Sequence, residues 1–124
     1  MRRSIHILAV SILFAAGCGG PSAPRPADPE VAQRALAEAL DDWKRGEPCD
    51  VPARRSPPVR VADEEWLAGA RLVGYSIEPG SRPVGAAIQV PVTLTVAGKK
   101  GKPAKHRVVY DVLTDPTRSI IRQD

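Results

Sequence analysis

Histidine is scarce in this chain of 124 residues, which has only His6 and His106. Cysteine is equally rare, at Cys18 and Cys49, and aromatic side chains number five. Each shortage closes a class of chemistry. A zinc centre needs three or four His, Cys or carboxylate ligands, and this inventory does not supply them in any ligand spacing. A Ser-His-acid hydrolase would have to use His106, and no G-x-S-x-G elbow stands ready to hold a nucleophile. Gly101-Lys102 is followed by Pro103 where a phosphate loop requires Ser or Thr, and no glycine lies five positions earlier. Asp63-Glu64-Glu65 lacks the alternating oxygens and tight glycine turn of a calcium loop. Asp41 and Asp42 are neighbours on a helix and point apart, so they make no general acid/base pair. No apolar run reaches the roughly 20 residues of a membrane-spanning helix.

What the chain does have is a leader. Arg2 and Arg3 give a positive start, and Ile5 to Ala16 is apolar apart from His6 and Ser11. Small residues then lead to Cys18. This is the pattern of an export signal, too short to span a bilayer. Ala15-Ala16-Gly17-Cys18 resembles the lipobox of bacterial lipoproteins. The resemblance implies a diacylglycerol on the Cys18 thiol, cleavage just before it, acylation of the new amino terminus, and a membrane anchor. Ala15 stands where that family most often has Leu, while Ala16 and Gly17 fit its small positions. The resemblance covers the leader alone. Neither Gly19 nor Gly20 is the Asp associated with inner-membrane retention, which implies an outer-membrane destination. A second reading stands beside it. A general signal peptidase also accepts Ala15 and Gly17, and would release a soluble protein free to form a Cys18–Cys49 disulfide.

Export divides the chain into a signal peptide (1–17), a lipidated terminus with a Pro/Gly-rich tether (18–27) and one small domain (28–124). Net charge is +4 for the whole chain; loss of Arg2 and Arg3 leaves about +2, short of the basic balance of a nucleic-acid binder. The tether alternates Gly and Pro and buries nothing, so its nine residues, 19–27, reach roughly 30 Å when extended.

A helix is expected from Asp28 to Arg45. Asp28 caps it, Pro29 opens it and Gly46 stops it. Ala32, Leu36, Ala39, Leu40 and Trp43 form its apolar stripe, and Asp41 with Arg45 is spaced as an ion pair. Prolines at 48, 52, 57 and 58 make the next stretch a loop that carries Cys49, either as a small, semi-buried residue or as a thiol for an intermolecular bond. Val59-Arg60-Val61 reads as a short extended piece. Asp63 caps a solvated helical turn with Trp66 tucked beneath it.

Four strands are expected after that. Arg71 to Glu78 carries Val73, Tyr75 and Ile77 on one face, and Glu78 to Gly85 is a loop. In the second strand Ile88, Val90, Val92, Leu94 and Val96 alternate with polar positions, and Pro91 marks an edge or a bulge. The third, Lys105 to Leu113, places His106, Val108, Tyr110 and Val112 together. The last, Arg118 to Gln123, carries Ile120 and Ile121. The fold class is therefore α+β, one helix packed on a four-stranded antiparallel meander. This order resembles cystatin-like and NTF2-like domains, in which a curved sheet wraps a helix. The Gln-x-Val-x-Gly loop of cystatin inhibitors is missing, because Gln89-Val90-Pro91-Val92 lies mid-strand.

Charge is unevenly spread, at −4 over residues 28–68 and +5 from Gly69 onward. Lys99, Lys100, Lys102, Lys105 and Arg107 cluster around one hairpin, a candidate contact surface for anionic lipid or an acidic envelope partner. The same lysines also serve to keep a hairpin soluble and unpaired. The reading is a non-enzymatic, membrane-tethered accessory or interaction module with no cofactor or metal. A small-ligand or catalytic pocket protein of NTF2-like type is the alternative.

Overall fold

The computed structural model describes residues 27–98 and 100–123. The expected leader, Cys18, the tether as far as Pro26, and Lys99 lie outside the described residues.

The long helix, α1, spans Pro29–Lys44. The Asp28 carboxylate accepts from the Glu30 N–H at 2.9 Å. That fills one of the donors a first helical turn leaves open. Gly46 ends the helix with φ of 85°, a left-handed turn that glycine makes without a side-chain clash. The expected apolar stripe is buried, with Ala35 added to it. One expected pair is not formed. Arg45 binds the carboxylate of Asp42 instead of Asp41, and Asp41 accepts from the Tyr75 hydroxyl at 2.8 Å. Asp42 is fully buried, so it needs a cation far more than its exposed neighbour does.

Six strands build one curled, mixed sheet: β1 (Val59–Ala62), β2 (Arg71–Ile77), β3 (Arg82–Val84), β4 (Ala87–Ala97), β5 (Ala104–Leu113) and β6 (Arg118–Gln123). Their order is β1-β6-β5-β4-β2, with β3 also pairing with β4. The four expected strands are β2, β4, β5 and β6, and they pair antiparallel in sequence order. The sheet is nevertheless larger than a four-stranded meander. β1 adds to β6 in parallel, and β3 occupies part of the expected Glu78–Gly85 loop. Strands of four and three residues are too short to show a hydrophobic period.

Edge strands β1 and β2 are four spacings apart, about 19 Å on a flat sheet at about 4.8 Å per spacing. Only residues 63–70 connect them. The one-turn helix α2 (Glu64–Leu67) lies in that connection.

Two local devices set the side-chain phase. In β2, Leu72 pairs with Val96 and Gly74 with Thr95, which leaves Val73 as the extra residue of a bulge. The bulge resets the alternation. Leu72 is therefore buried, Val73 is exposed, and Tyr75 and Ile77 pack on the core. Val73 thus does not share a face with Tyr75, contrary to the simple alternation. In β4, Pro91 lies mid-sheet and not at an edge. Its carbonyl accepts from the Glu78 N–H at 2.9 Å. Its missing donor therefore points to the side where β2 ends and β3 has not begun, so the ladder loses little.

The core lies between α1 and the inner sheet face. Leu36, Leu40 and Trp43 meet Leu72, the five alternating residues of β4, Val108, Tyr110, Val112 and Ile120. Trp43 and Trp66 stack with ring centroids 5.4 Å apart. Both indole N–H groups donate to backbone carbonyls, Trp43 to Ala70 at 2.7 Å and Trp66 to Glu47 at 2.8 Å. The stack fastens the end of α1 to α2. Leu36→Ala is expected to lose about 2–5 kcal/mol of unfolding free energy, because the closed core cannot refill the space. Ile121→Ala, on the wet face, should stay within about 0.5 kcal/mol. Equilibrium urea unfolding reads both.

Candidate functional site

Strand register arranges the inner face near β1 in rows. Ile120 lies between Val61 and Val112, and Arg122 lies beside Tyr110. Asp63, one residue beyond β1, completes the Arg122–Tyr110 row. Its carboxylate is 2 % exposed and receives four donors. Oδ1 accepts from the N–H groups of Glu65 at 3.0 Å and Trp66 at 3.2 Å. Arg122 approaches the same oxygen at 3.3 Å, and the Tyr110 hydroxyl donates to Oδ2 at 2.5 Å. Asp63 therefore caps α2, as expected, and the turn is solvated at Glu64 and Leu67, but the capping carboxylate itself is sealed. Of the three acids only Glu64 is exposed.

Arg122 carries the network outward. Its guanidinium meets Glu65 Oε1 at 2.5 Å, and Glu65 Oε1 lies 2.7 Å from His106 Nε2. Burial alone would raise the Glu65 carboxyl, but hydrogen bonds and charge from Arg122 and His106 outweigh it and hold the carboxyl below its ordinary value. An ionised Glu65 only accepts, so Nε2 of His106 carries the proton in that contact. Burial pushes the Tyr110 hydroxyl far up, and the adjacent Asp63 charge adds to the effect. Tyr110 is thus a fixed neutral donor.

These side chains form an inward polar constellation. Its members come from β1's end, α2, β5 and β6, so no short motif could display it. The available signal was parity: His106 shares a face with Tyr110, and Arg122 shares one with Ile120. Chemically the cluster is a clamp. Asp63 and Tyr110 are sealed, and each is engaged by the other. The solvent-facing end is His106 and Glu65, with side chains 37 % and 33 % exposed.

The expected basic surface is distributed as follows. Lys100 and Lys102 are exposed in the β4–β5 turn, and Lys105 and Arg107 are exposed on β5. Lys105 pairs with Thr95 and Arg107 with Thr93, both on the outer face. Arg71, opposite Ala97, joins them at the same end of the sheet. Sequence spacing does not group Arg71 with the hairpin, because 28 positions separate it from Lys99. Cys49 is a buried free thiol, with Sγ 3.8 Å from the Val61 carbonyl. Burial, then the charge of Asp63, raises its pKa, which makes it a poor nucleophile.

Among the described residues, no group of three or more His, Cys, Asp or Glu is arranged to hold a metal ion. None of the described helices is long and apolar enough to cross a membrane. No protein-family model, curated protein or solved structure matches this chain.

Two outcomes follow from the clamp. Tyr110→Phe leaves one oxygen of a buried carboxylate without a donor and should cost about 1–3 kcal/mol in urea unfolding. Tyr75 is also raised, to about 12, by burial and by its bond to Asp41. In the unfolded chain both phenols ionise near 10.0, so folding keeps them protonated where the unfolded state releases protons. Stability must therefore fall as pH rises above 10, and absorbance at 295 nm should show tyrosinate in urea before it appears in the native protein. Glu65 acts in the opposite range. Its contribution is present above its ordinary value of 4.5 and is lost as pH falls through its lower folded value.

Proposed function

We propose that the chain is a lipoprotein of the cell envelope. In this reading the leader is removed before Cys18, acyl chains on Cys18 anchor the protein to a membrane, the outer one where the cell has two, and the tether presents the α+β body. The body is a non-enzymatic accessory or interaction module built on a cystatin-like or NTF2-like order. One observation carries the module reading: the polar groups of the Asp63 clamp are satisfied by one another, whereas Arg71, Lys100, Lys102, Lys105 and Arg107 all face solvent. Groups consumed in holding the fold are poorly placed to turn over a substrate. Solvated cations on an open sheet face are well placed to meet an anionic surface.

The tether supports the same geometry. Ala27, its last residue, packs against the core, and in this reading the roughly 30 Å of extended reach allows the basic face to touch the bilayer to which Cys18 is fixed. Such cations contribute about 1 kcal/mol each near an anionic surface, and salt screens them.

Mass spectrometry of the mature protein tests the anchor. An acylated Cys18 at the amino terminus is expected, and Cys18→Ser should move the protein from the detergent phase to the aqueous phase. An unmodified Cys18, or one bridged to Cys49, would overturn the reading. For the surface, in the Cys18→Ser protein, which has no acyl anchor, Lys100→Gln, Lys102→Gln, Lys105→Gln and Arg107→Gln together should abolish flotation with vesicles containing anionic lipid at low salt. Unchanged flotation would dismiss the basic face as the working surface.

A further inference from the structure

Two strands begin side by side at the end of the sheet away from the β4–β5 turn. β1 and β6 run parallel, with Val59 beside Arg118 and Arg60 beside Ser119. Ser119 also pairs with Leu113, the last residue of β5. A cavity of about 550 Å³ opens at these strand starts. That size falls within the roughly 300–1,000 Å³ of small-molecule sites. The 3₁₀ turn Pro52–Arg54 closes it on one side through Ala53.

The lining carries charge of one sign. Among the described residues, Arg60 and Arg118 are its charged members, and no acid joins them. The nearby arginines are already engaged, Arg54 by Asp50 and Arg55 by Asp42. No described carboxylate lies within ion-pair distance of Arg60 or Arg118. The hydroxyls of Thr117 and Ser119, which line the same space, have no hydrogen-bond partner among the described residues. Four donor side chains thus border one cavity to which the protein contributes no acidic acceptor. Strand parity sets their directions. Arg60 and Ser119 stand on the outer face with Ile121, whereas Arg118 has the parity of buried Val59. The donors therefore reach the cavity from both sides of the sheet. A carboxylate offers two oxygens in one plane, and a phosphate ester offers three spread over a tetrahedron, which suits donors on two sides. Pro58 and Ile121 add an apolar wall, and Ile121 is 45 % exposed. A ligand body laid against it would remove apolar surface from water.

We propose that this cavity binds a phosphate monoester. The phosphate sits between Arg60 and Arg118, takes hydrogen bonds from Thr117 and Ser119, and places its organic body against Pro58 and Ile121. Guanidinium forks match phosphate oxygens in geometry as well as charge, and a dianion balances the two cations. The monoester is carried either by a small soluble molecule or by a lipid headgroup. The site is separate from the hairpin cations and does not depend on the lipid anchor.

Titration calorimetry of the full Cys18→Ser chain tests the chemistry, with inorganic phosphate, phenyl phosphate and benzoate as probes. Phenyl phosphate should bind one to one, and benzoate at least tenfold more weakly. Arg60→Gln and Arg118→Gln should each weaken phenyl phosphate at least tenfold, while Arg34→Gln, on the exposed side of α1, should leave it unchanged. Ile121→Ala should weaken phenyl phosphate and spare inorganic phosphate. Arg60 and Ile121 are exposed, so their variants keep the test valid if Arg118→Gln fails to fold. Flotation with vesicles of phosphatidylcholine and phosphatidic acid separates the two sources, in protein that also carries the four hairpin Gln substitutions. Flotation that Arg60→Gln abolishes assigns the site to a lipid headgroup. Phenyl phosphate binding without Arg60-dependent flotation assigns it to a soluble ester. No binding of phenyl phosphate, equal binding of benzoate, or undiminished binding by Arg60→Gln would each overturn the proposal.

Discussion

The Asp63 carboxylate is the constraint on which the closure of this fold depends. Taking a carboxylate out of water costs several kcal/mol unless the protein replaces its hydration. Here the replacement comes from four donors on three different elements: two backbone N–H groups of α2, the Tyr110 hydroxyl on β5 and the Arg122 guanidinium on β6. Each partner is of use only if the others are in place. The carboxylate thus couples the start of α2 to the β5–β6 pair, at the point where the chain leaves β1 for the opposite edge of the sheet. The Trp43–Trp66 stack completes the closure from the helix side.

That arrangement separates the molecule into a part that holds itself together and a part that is available. Inside, the titratable groups face partners: Asp63 with Tyr110 and Arg122, and Glu65 with Arg122 and His106. Outside, one end of the sheet collects cations contributed by β2, the β4–β5 turn and β5. This division is the one that the proposed contact module uses. Asp42 breaks the pattern, since one of its oxygens is buried without a partner.

Much of the architecture was legible because periodicity reports burial directly. The α1 stripe, its Asp28 cap and Gly46 stop, the alternation along β4, and the inward set on β5 were all readable from residue spacing. Failures occurred where a local rule met a second neighbour. Val73 shares the parity of Tyr75 in the sequence but not in the sheet, because a bulge intervenes. Pro91 looks like an edge residue until β2 and β3 are seen to share one side of β4. Arg45 pairs with Asp42 because burial raises the need for a cation, a fact that helical spacing does not contain.

The sequence by itself determined α1, the four longer strands, most of their wet and dry faces, the α+β class and the excess of cations in its second half. These follow from short-range spacing, which each segment carries within itself. Only the tertiary structure decided that β1 runs beside β6, that Arg71 stands with the hairpin lysines, and that Asp63, Tyr110, Arg122, Glu65 and His106 form one network. Those contacts join residues up to 59 positions apart. Their partners are chosen by strand register and sheet curl, which arise only when all the segments bury their apolar faces together.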